Sequence, residues 1–415
     1  MKVLHTADWH LGQKFHDKER YDEHQAFLDW LLTTIREQSV DLLLISGDIF
    51  DIGNPPNRAI EQYYNFLAKF LQETPCQHAI ITGGNHDSIY SLNAPKDLLK
   101  FMKLHIIGGA TDNLEDEIVE IKDKNGNIEA VVCAVPFLRD KDINYNKASL
   151  SQAEREKHIL DSIALHYQEL AKIVEERGYP NLQVPLIAMG HLFAQGGRHS
   201  EEEETSEGEK NIYIGNLGKI PAEAFPETFH YVALGHLHRS QKVGGKDHIR
   251  YSGSPIPLSF SERKDEKSVL LIEFEQSEIK FIKKILVPQT IHKRLIRFEG
   301  TLEQVCKAIK NFETEQETWV EVLVRLEKYN PHAKAIIEEA AAQNYKIQII
   351  RSIALSIHSS RDDWAKIYEH QNLSELSVEE VFLERCKKEN YVAKEIDDDL
   401  LPLFRQLVQG FEENG

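Results

Sequence analysis

Cysteine is scarce in this sequence, with four residues in 415, at Cys76, Cys133, Cys306 and Cys386. They are scattered and form no CxxC pair, which argues against a disulfide-stapled scaffold and against a cysteine-ligated zinc site. We therefore expect reduced thiols, as in a cytoplasmic protein.

Long hydrophobic runs are also lacking. No apolar stretch reaches the eighteen or more residues of a membrane span, and the start MKVLHTADWH is not that of a signal peptide. The apolar fraction of 41% and the charged fraction of 28% are those of a soluble globular protein. Because 415 residues exceed what one hydrophobic core supports, we expect more than one domain.

An excess of basic residues is missing as well, and the net charge is −18. A protein that held DNA mainly through its own phosphate contacts would be expected to carry a basic surface. Either the substrate is not nucleic acid or another subunit supplies most of the DNA contacts, and the charge alone leaves both open. The acidic segment EEEETSEGE (201–209) is predicted to be a solvated loop.

Short apolar runs alternate with amphipathic stretches in the first part of the chain, which is typical of an α/β sheet. Strands are predicted at residues 2–6, 41–46, 78–82, 130–135, 186–189, 231–234 and 269–274. A helix is predicted over 17–37 and a second one from Ile60 to Leu71, from apolar residues at three- and four-residue steps. This pattern predicts one domain over 1–285.

The pattern changes after a predicted linker at 286–290. Residues 291–373 have a β-α-β-α-β order, which predicts a small α/β domain, and residues 374–415 read as a helical tail. The last helix carries Leu400, Leu403, Leu407 and Val408 on one stripe. Such a stripe can pack on its own domain or dock on a partner, and both alternatives remain open.

Five apolar stretches each end in a turn rich in Asp, Asn or His: VLHTADWH, LLLISGD, AIITGGNHD, LIAMGH and YVALGHLH. Ligands bind at the carboxyl ends of strands in α/β sheets. A single such Asp or His is more often a turn or core residue, but five together point to one site. The turns deliver Asp8, His10, Asp48, Asn85, His86, His191, His236 and His238. The preceding glycines are predicted to leave room for sharp turns.

Carboxylates, an amide and imidazoles form a mixed nitrogen and oxygen donor set, which suits Mn, Fe or Zn. Asp51 and Asp87 lie beside this set and are predicted to orient ligands or turns. The histidines outside the pattern are predicted to be structural: His5, His24, His199, His230 and His248.

These motifs resemble the calcineurin-like metallophosphoesterase pattern, in which protein phosphatases, cyclic-nucleotide phosphodiesterases and DNA nucleases share one site. The stretches MKVLHTADWHLGQKF, EHQAFLDWLL, RYSGSPIPLSF (250–260) and SELSVEEVF (374–382) further resemble the SbcD family of nuclease subunits. The resemblance implies a metallophosphoesterase β-sandwich flanked by helices, a smaller α/β capping domain and a helical C-terminal tail.

The resemblance also implies an activity and partners. It implies a metal-dependent DNA nuclease that degrades duplex ends in the 3′→5′ sense, cuts single strands and opens hairpins, in replication, recombination and repair. It implies a tail that binds the coiled coil of an SbcC-type ATPase, and dimerisation through helices, for which the candidates are 58–72 and 95–103. Apolar residues there, such as Tyr63, Tyr64 and Leu67, serve equally well as plain core.

By the same resemblance, two divalent ions, with manganese preferred, are held by Asp8, His10 and His238 on one side and by Asn85, His191 and His236 on the other. Asp48 bridges them, and His86 is the general acid. A phosphomonoesterase or cyclic-nucleotide phosphodiesterase on the same site is the alternative. A metal-free interaction scaffold would predict a missing ligand, and none is missing.

Overall fold

The computed structural model of the chain describes residues 1–139, 152–194, 220–326 and 332–356, except residue 343, and isolated residues at 142, 330, 401 and 404. The chain divides into two compact units, one made of Met1–Glu204 and Tyr213–His358 and the other of Thr205–Ile212 and Ser359–Gly415. The predicted acidic loop 201–209, the helices predicted beyond residue 374, His199 and Cys386 lie outside the continuous described segments.

The described elements are numbered in chain order. The strands are β1 (Lys2–Thr6), β2 (Lys14–Phe15), β3 (Lys18–Glu19), β4 (Leu42–Ser46), β5 (His78–Thr82), β6 (Leu104–Ile107), β7 (Ile118–Lys122), β8 (Ile128–Ala134), β9 (Leu186–His191), β10 (Tyr231–Gly235), β11 (Gln241–Val243), β12 (Lys246–Tyr251), β13 (Ser268–Glu275), β14 (Glu278–Leu286), β15 (Arg294–Thr301), β16 (Thr318–Leu326) and β17 (Ile347–Ser356). The helices are α1 (Tyr21–Gln38), α2 (Asn57–Glu73), α3 (Ile89–Asn93), α4 (Lys96–Phe101), α5 (Gln152–Glu176), α6 (Leu302–Lys310) and α7 (Ala333–Ala341).

The first sheet has the strand order β14-β13-β1-β4-β5-β6. Strands β1, β4, β5 and β6 are parallel, and β13 and β14 form an antiparallel edge. The parallel strands are almost continuous apolar runs because both of their faces are covered. Helices α1 and α2 cover the outer face through a core that includes Phe27, Leu31, Phe66 and Phe70.

The second sheet has the order β11-β12-β10-β9-β8-β7, and α5 packs on its outer face through residues such as Tyr167. The inner faces of the two sheets pack on each other. Leu44 and Ile80 of the first sheet lie in one buried cluster with Ile187 and Met189 of the second. The fold is therefore the helix-flanked β-sandwich that the resemblance implied.

A third sheet follows the sandwich in the chain. Strands β15, β16 and β17 are parallel, and α6 and α7 form the crossovers. One face of β16 packs under these helices through Val320, Val322 and Val324, together with Val305 and Ile337. The predicted β-α-β-α-β order is confirmed, and β15–β17 with α6 and α7 are called the three-stranded unit below.

Two helices differ from the prediction. The helix predicted over 17–37 begins only at Tyr21, because β2 and β3 pair as a hairpin before it. Helix α5 was not predicted, although its buried Ile159, Ile163 and Leu170 recur at helical spacing. No helix in the described part of the chain is long and apolar enough to cross a membrane.

Candidate metal centre

Strand ends from both sheets meet at one edge of the sandwich. Asp8 follows β1, Asp48 follows β4 and Asn85 follows β5, all in the first sheet. His191 is the last residue of β9 and His236 follows β10, in the second sheet. The other predicted residues lie in the same turns: His10, His86 and His238.

The ligating atoms of these side chains form three close groups. Within each group they all lie within 4.8 Å of one another. The groups are Asp8, His10 and His238; Asp48, His191 and His236; and His10, Asp48 and His86. Because Asp48 and His10 each belong to two groups, these side chains form one continuous cluster, and Asn85 lies beside it.

Asp48 lies at the centre of this cluster. Its Oδ2 is 3.5 Å from His10 Nε2 and 3.2 Å from His191 Nε2. Burial opposes its ionisation, but the neighbouring His191 and His10 hold the pKa of Asp48 well below its usual range. Burial likewise disfavours a charged imidazole, yet the Asp48 carboxylate outweighs it and raises the pKa of His191 to about 9. One carboxylate therefore faces histidines from both sides of the site.

Three histidines turn their Nδ1 atoms outward. His10 Nδ1 is 3.1 Å from Asp51 Oδ1, His191 Nδ1 is 2.9 Å from the Ser46 carbonyl, and His238 Nδ1 is 3.2 Å from Glu262 Oε1. An acceptor at Nδ1 fixes the tautomer in which Nε2 keeps its lone pair. The lone pairs of these three rings are therefore available inside the site.

Asn85 joins two further rings to the cluster. Its Oδ1 is 3.0 Å from His191 Nε2 and 3.1 Å from His236 Nδ1. The backbone N–H of His236 in turn donates to Asp8 Oδ1 at 2.8 Å. These contacts link the two sheets across the site.

Two buried polar atoms of the cluster, Asp8 Oδ2 and His10 Nε2, have no hydrogen-bond partner within the described structure. Buried polar atoms almost always have a partner, and leaving one unpaired is costly. Burial, which is the largest influence, raises the pKa of Asp8. Unpaired carboxylate oxygen and imidazole nitrogen facing one another form the donor set of a divalent cation, so these residues fit a metal centre.

The backbone of the site is strained. Asp8, His10 and Asp48 have φ angles of 54°, 46° and 50°, and His236 has a φ of 101°. Residues other than glycine rarely adopt positive φ, and those that do cluster at functional sites where the surrounding structure enforces them. Four predicted ligands carry this signature.

The glycines before the ligands have two different functions. Gly47 has a φ of 84°, so it makes the predicted sharp turn. Gly84 and Gly235 do not have positive φ, and there the prediction was wrong. A Cβ on Gly84 would lie 2.1 Å from Asp48 Oδ1, and one on Gly235 would lie 1.9 Å from the Ser46 carbonyl oxygen. These two glycines are needed because the neighbouring strand end occupies the space of a side chain.

His86 is half-buried beside the centre. Its Nδ1 donates to the carbonyl of Asp51 at 2.7 Å, which leaves Nε2 for a second partner. Its ring centroid is 4.9 Å from that of His10. Burial lowers the pKa of His86, and Asp48 partly offsets that effect. This geometry is compatible with a proton-transfer role and with a ligand role.

The two flanking aspartates behave differently. Asp51 contacts a ligand, as described for His10. Asp87 instead accepts backbone N–H bonds from Ile49, Phe50 and Gly84 at 3.1, 3.0 and 2.8 Å, so it holds the turns that carry Asp48 and Asn85. Burial raises the pKa of Asp87 to about 6, and the nearby Asp48 carboxylate adds to the effect.

One residue of the site was missed by sequence reasoning. Glu262, which is 2% exposed, contacts His238 from 24 positions further along the chain. No local pattern connects the two, because the fold alone brings them together. The nearby stretch 250–260 supported the SbcD resemblance, but nothing in it singled out Glu262.

The histidines predicted to be structural lie apart from the metal cluster where the structure describes them. His5 Nδ1 is 2.9 Å from the Tyr231 hydroxyl, and His230 Nδ1 accepts the Leu186 N–H at 3.0 Å. His24 is buried in α1, and His248 lies on β12.

Residues 1–240, more than half of the chain, match the calcineurin-like phosphoesterase family. The fold and the site are thus those of a metallophosphoesterase, an enzyme class that binds divalent metal and hydrolyses phosphate esters. Residues 292–390 match a second family, described as the type 5 capsule protein repressor C-terminal domain.

Similar proteins narrow the class. The D subunit of the SbcCD nuclease of Escherichia coli K12 is 36% identical over 396 residues, which cover 94% of this chain and 93% of that protein. The protein of the same name from Rhodobacter capsulatus is 36% identical over 279 residues, 66% of each chain. The one from Bacillus subtilis is 26% identical over 416 residues, 100% of this chain and 99% of that protein. The chain belongs to this family of SbcD nuclease subunits, and it is a phosphodiester hydrolase.

Proposed function

We propose that this chain is the DNA-cleaving subunit of an SbcCD-type complex and that it works with two divalent ions. The first metal half is Asp8, His10 and His238, and the second metal half is Asn85, His191 and His236. Asp48 belongs to both. The observation that supports this assignment is the position of Asp48 Oδ2, 3.5 Å from His10 Nε2 and 3.2 Å from His191 Nε2.

Bound ions of this kind neutralise the phosphate and activate water for in-line attack. The chain itself positions them and handles the proton. His86 keeps one proton on Nδ1, donated to the Asp51 carbonyl, and a proton on Nε2 can pass to the leaving oxygen as general acid. Manganese is the ion we propose, since the donors are nitrogen and oxygen without a thiolate.

The proposed substrate is DNA: duplex ends attacked in the 3′→5′ sense, single strands and hairpins. The names of the related proteins support this, since each is the D component of a nuclease called SbcCD. The net charge of −18 fits a subunit whose partner supplies most of the DNA contacts. We propose an SbcC-type coiled-coil ATPase as that partner, and the cytoplasm as the location, where buried thiols such as Cys76 and Cys133 stay reduced.

The proposed domain division is 1–285 for the nuclease domain, 291–373 for the capping domain and 374–415 for the tail that docks on the ATPase. Strand β14 ends at Leu286 and β15 begins at Arg294, which supports a boundary between them. The tail lies outside the continuous described segments.

We also propose that the subunit forms a homodimer, and the structure changes the candidate surface. Tyr63, Leu67 and Leu99 are buried and belong to the core. On α3 and α4, by contrast, Tyr90 is 91% and Phe101 is 89% exposed. Exposed apolar residues this large mark interaction surfaces. Leu98 and Met102 extend the exposed set.

The direct test of the proposed activity compares substrates. The purified chain with Mn²⁺ should cleave single-stranded and linear duplex DNA far faster than it hydrolyses p-nitrophenyl phosphate or a cyclic nucleotide. EDTA should abolish the cleavage. Efficient hydrolysis of the small esters with intact DNA would instead favour the phosphomonoesterase or cyclic-nucleotide phosphodiesterase.

A further inference from the structure

The three-stranded unit contacts the sandwich through a small aromatic cluster. Leu295 and Trp319 of the unit pack with Phe15 of β2 and Phe260, and all four are buried. The Phe15 ring centroid is 5.0 Å from that of Phe260 and 5.2 Å from that of Trp319. These four residues are called the docking cluster. They form a continuous apolar contact between the unit and the segments that flank the metal centre.

A buried cation strengthens the same contact. Arg20 is 2% exposed and lies 5.8 Å from the Trp319 ring centroid. It pairs with Glu23 at 2.7 Å and donates to the Pro257 carbonyl at 2.6 Å. Glu23 in turn accepts the backbone N–H of Lys293, just before β15, at 2.6 Å. Charged hydrogen bonds of this kind hold the unit in one position rather than merely near the sandwich.

The docking cluster lies directly beside the first metal half. Phe260 and Glu262 are the ends of one 3-10 turn, Phe260–Glu262. Phe260 contacts the three-stranded unit, while Glu262 Oε1 lies 3.2 Å from His238 Nδ1. One turn of backbone therefore connects the docked unit to a proposed metal ligand.

Glu262 is held firmly in its turn. Its Oε2 accepts from the Leu258 N–H at 3.2 Å and the Ser254 hydroxyl at 3.3 Å, and it pairs with the buried Lys267 ammonium. Lys267 also donates to the His238 carbonyl at 3.1 Å. Motion of this turn is therefore transmitted to both the ring and the backbone of His238.

The hairpin side of the cluster leads to the same half. Gln13 donates from its backbone to the His10 carbonyl at 3.0 Å and from its side chain to the Leu258 carbonyl at 3.1 Å. The second metal half is supported differently. His191 is held by the Ser46 carbonyl of β4, inside the sandwich. Docking of the unit thus reaches one half of the centre and not the other.

We propose that docking of the three-stranded unit sets the affinity of the first metal half for its divalent ion, with Glu262 as the positioning residue for His238. The second metal half is insensitive to docking. The inference rests on the proposed two-metal centre. Partners of metal-bound histidines act in this way, and their loss typically weakens metal binding by about 10–100-fold. Any event that shifts the unit would thereby load or unload one ion.

The test is a Mn²⁺ titration of the full-length chain without DNA, followed by electron paramagnetic resonance and calorimetry. Trp319→Ala removes the docking contact without touching the metal centre. One of the two Mn²⁺ affinities should fall by about 10-fold or more, and the other should stay unchanged. Glu262→Gln should weaken the same ion. The double variant should be no weaker than Glu262→Gln alone, because the two residues act in series.

A control separates docking from general loosening of the unit. Ile337→Ala opens a cavity on the helix side of the same sheet, away from the docking cluster, and should leave both affinities unchanged. Equal loss in Ile337→Ala, equal weakening of both ions, or unchanged affinities in Trp319→Ala each overturn the inference. A wild-type chain that binds no Mn²⁺ rejects the metal centre and this inference with it. Two ions bound with unaltered affinity in Trp319→Ala reject the inference alone.

Discussion

At the scale of single residues, the site depends on ring nitrogens as much as on residue types. The pattern of strand-end turns was enough to bring the predicted ligands to one place, since the carboxyl ends of neighbouring strands share an edge. The pattern could not tell which nitrogen each histidine presents. Asp51, the Ser46 carbonyl and Glu262 decide that, and each is brought to its histidine by the fold.

The role of His86 gives a prediction at this scale. His86→Ala should keep two ions and DNA binding but slow cleavage by roughly 10²–10⁴-fold, the range for loss of a general acid. Single-turnover cleavage and Mn²⁺ titration measure the two effects. His248→Ala, on β12, is the control and should change neither. Because His86 also lies within reach of His10 and Asp48, loss of metal in the variant would make it a ligand instead.

A buried histidine predicts a pH dependence. Burial lowers the pKa of His5 to about 3. The unfolded chain binds this proton near pH 6.5, so the unfolded state carries more protons below that pH and the free energy of unfolding falls on acidification. In His5→Gln, the unfolding free energy from urea denaturation should fall less steeply between pH 6.5 and about 4. An equal slope in both proteins would show that His5 does not contribute.

At the scale of elements, the apolar runs predicted the strands well. Strands β1, β4 and β5 are covered on both faces, so their sequences are almost purely apolar. The start of α1 was placed too early because helical spacing begins before the chain actually turns into the helix. The β2–β3 pairing depends on packing of Phe15 against Phe260 and Trp319, which lie far away in sequence.

The close approach of strand ends makes a prediction about Gly84. In Gly84→Ala the new Cβ would lie 2.1 Å from Asp48 Oδ1, so the carboxylate must move. We expect loss of Mn²⁺ binding with only a small change in melting temperature. Gly53→Ala is the matched control, since its Cβ would lie 3.8 Å from the nearest atom, the His86 carbonyl oxygen. Normal metal binding in Gly84→Ala would contradict the crowding described here.

At the scale of the whole molecule, the order of elements was predictable but the arrangement was not. The β-α-β-α-β order of residues 291–356 follows from periodicity, whereas the docking cluster joins Phe15 and Phe260 to a sheet that forms much later in the chain. No periodicity encodes such long-range contacts. The same holds for Arg20, whose burial depends on acceptors at Glu23 and Pro257.

The tail carries a prediction at this scale. Truncation after Lys388 should leave a folded, metal-loaded nuclease that cuts single strands, because the described sandwich is complete without it. The same truncation should abolish co-purification with the ATPase subunit, as should Leu403→Glu combined with Leu407→Glu. A much lower melting temperature with partner binding intact would show that the tail packs on its own chain.

The Asp48 carboxylate offers the most direct test of the two-metal centre. Mn²⁺ titration should find two ions per wild-type chain. Asp48→Asn, which keeps the shape but removes the shared charge, should lose both, whereas Asp8→Asn should mainly weaken one. DNA cleavage should fall with the ions. Two tightly bound Mn²⁺ and normal cleavage in Asp48→Asn would contradict the account.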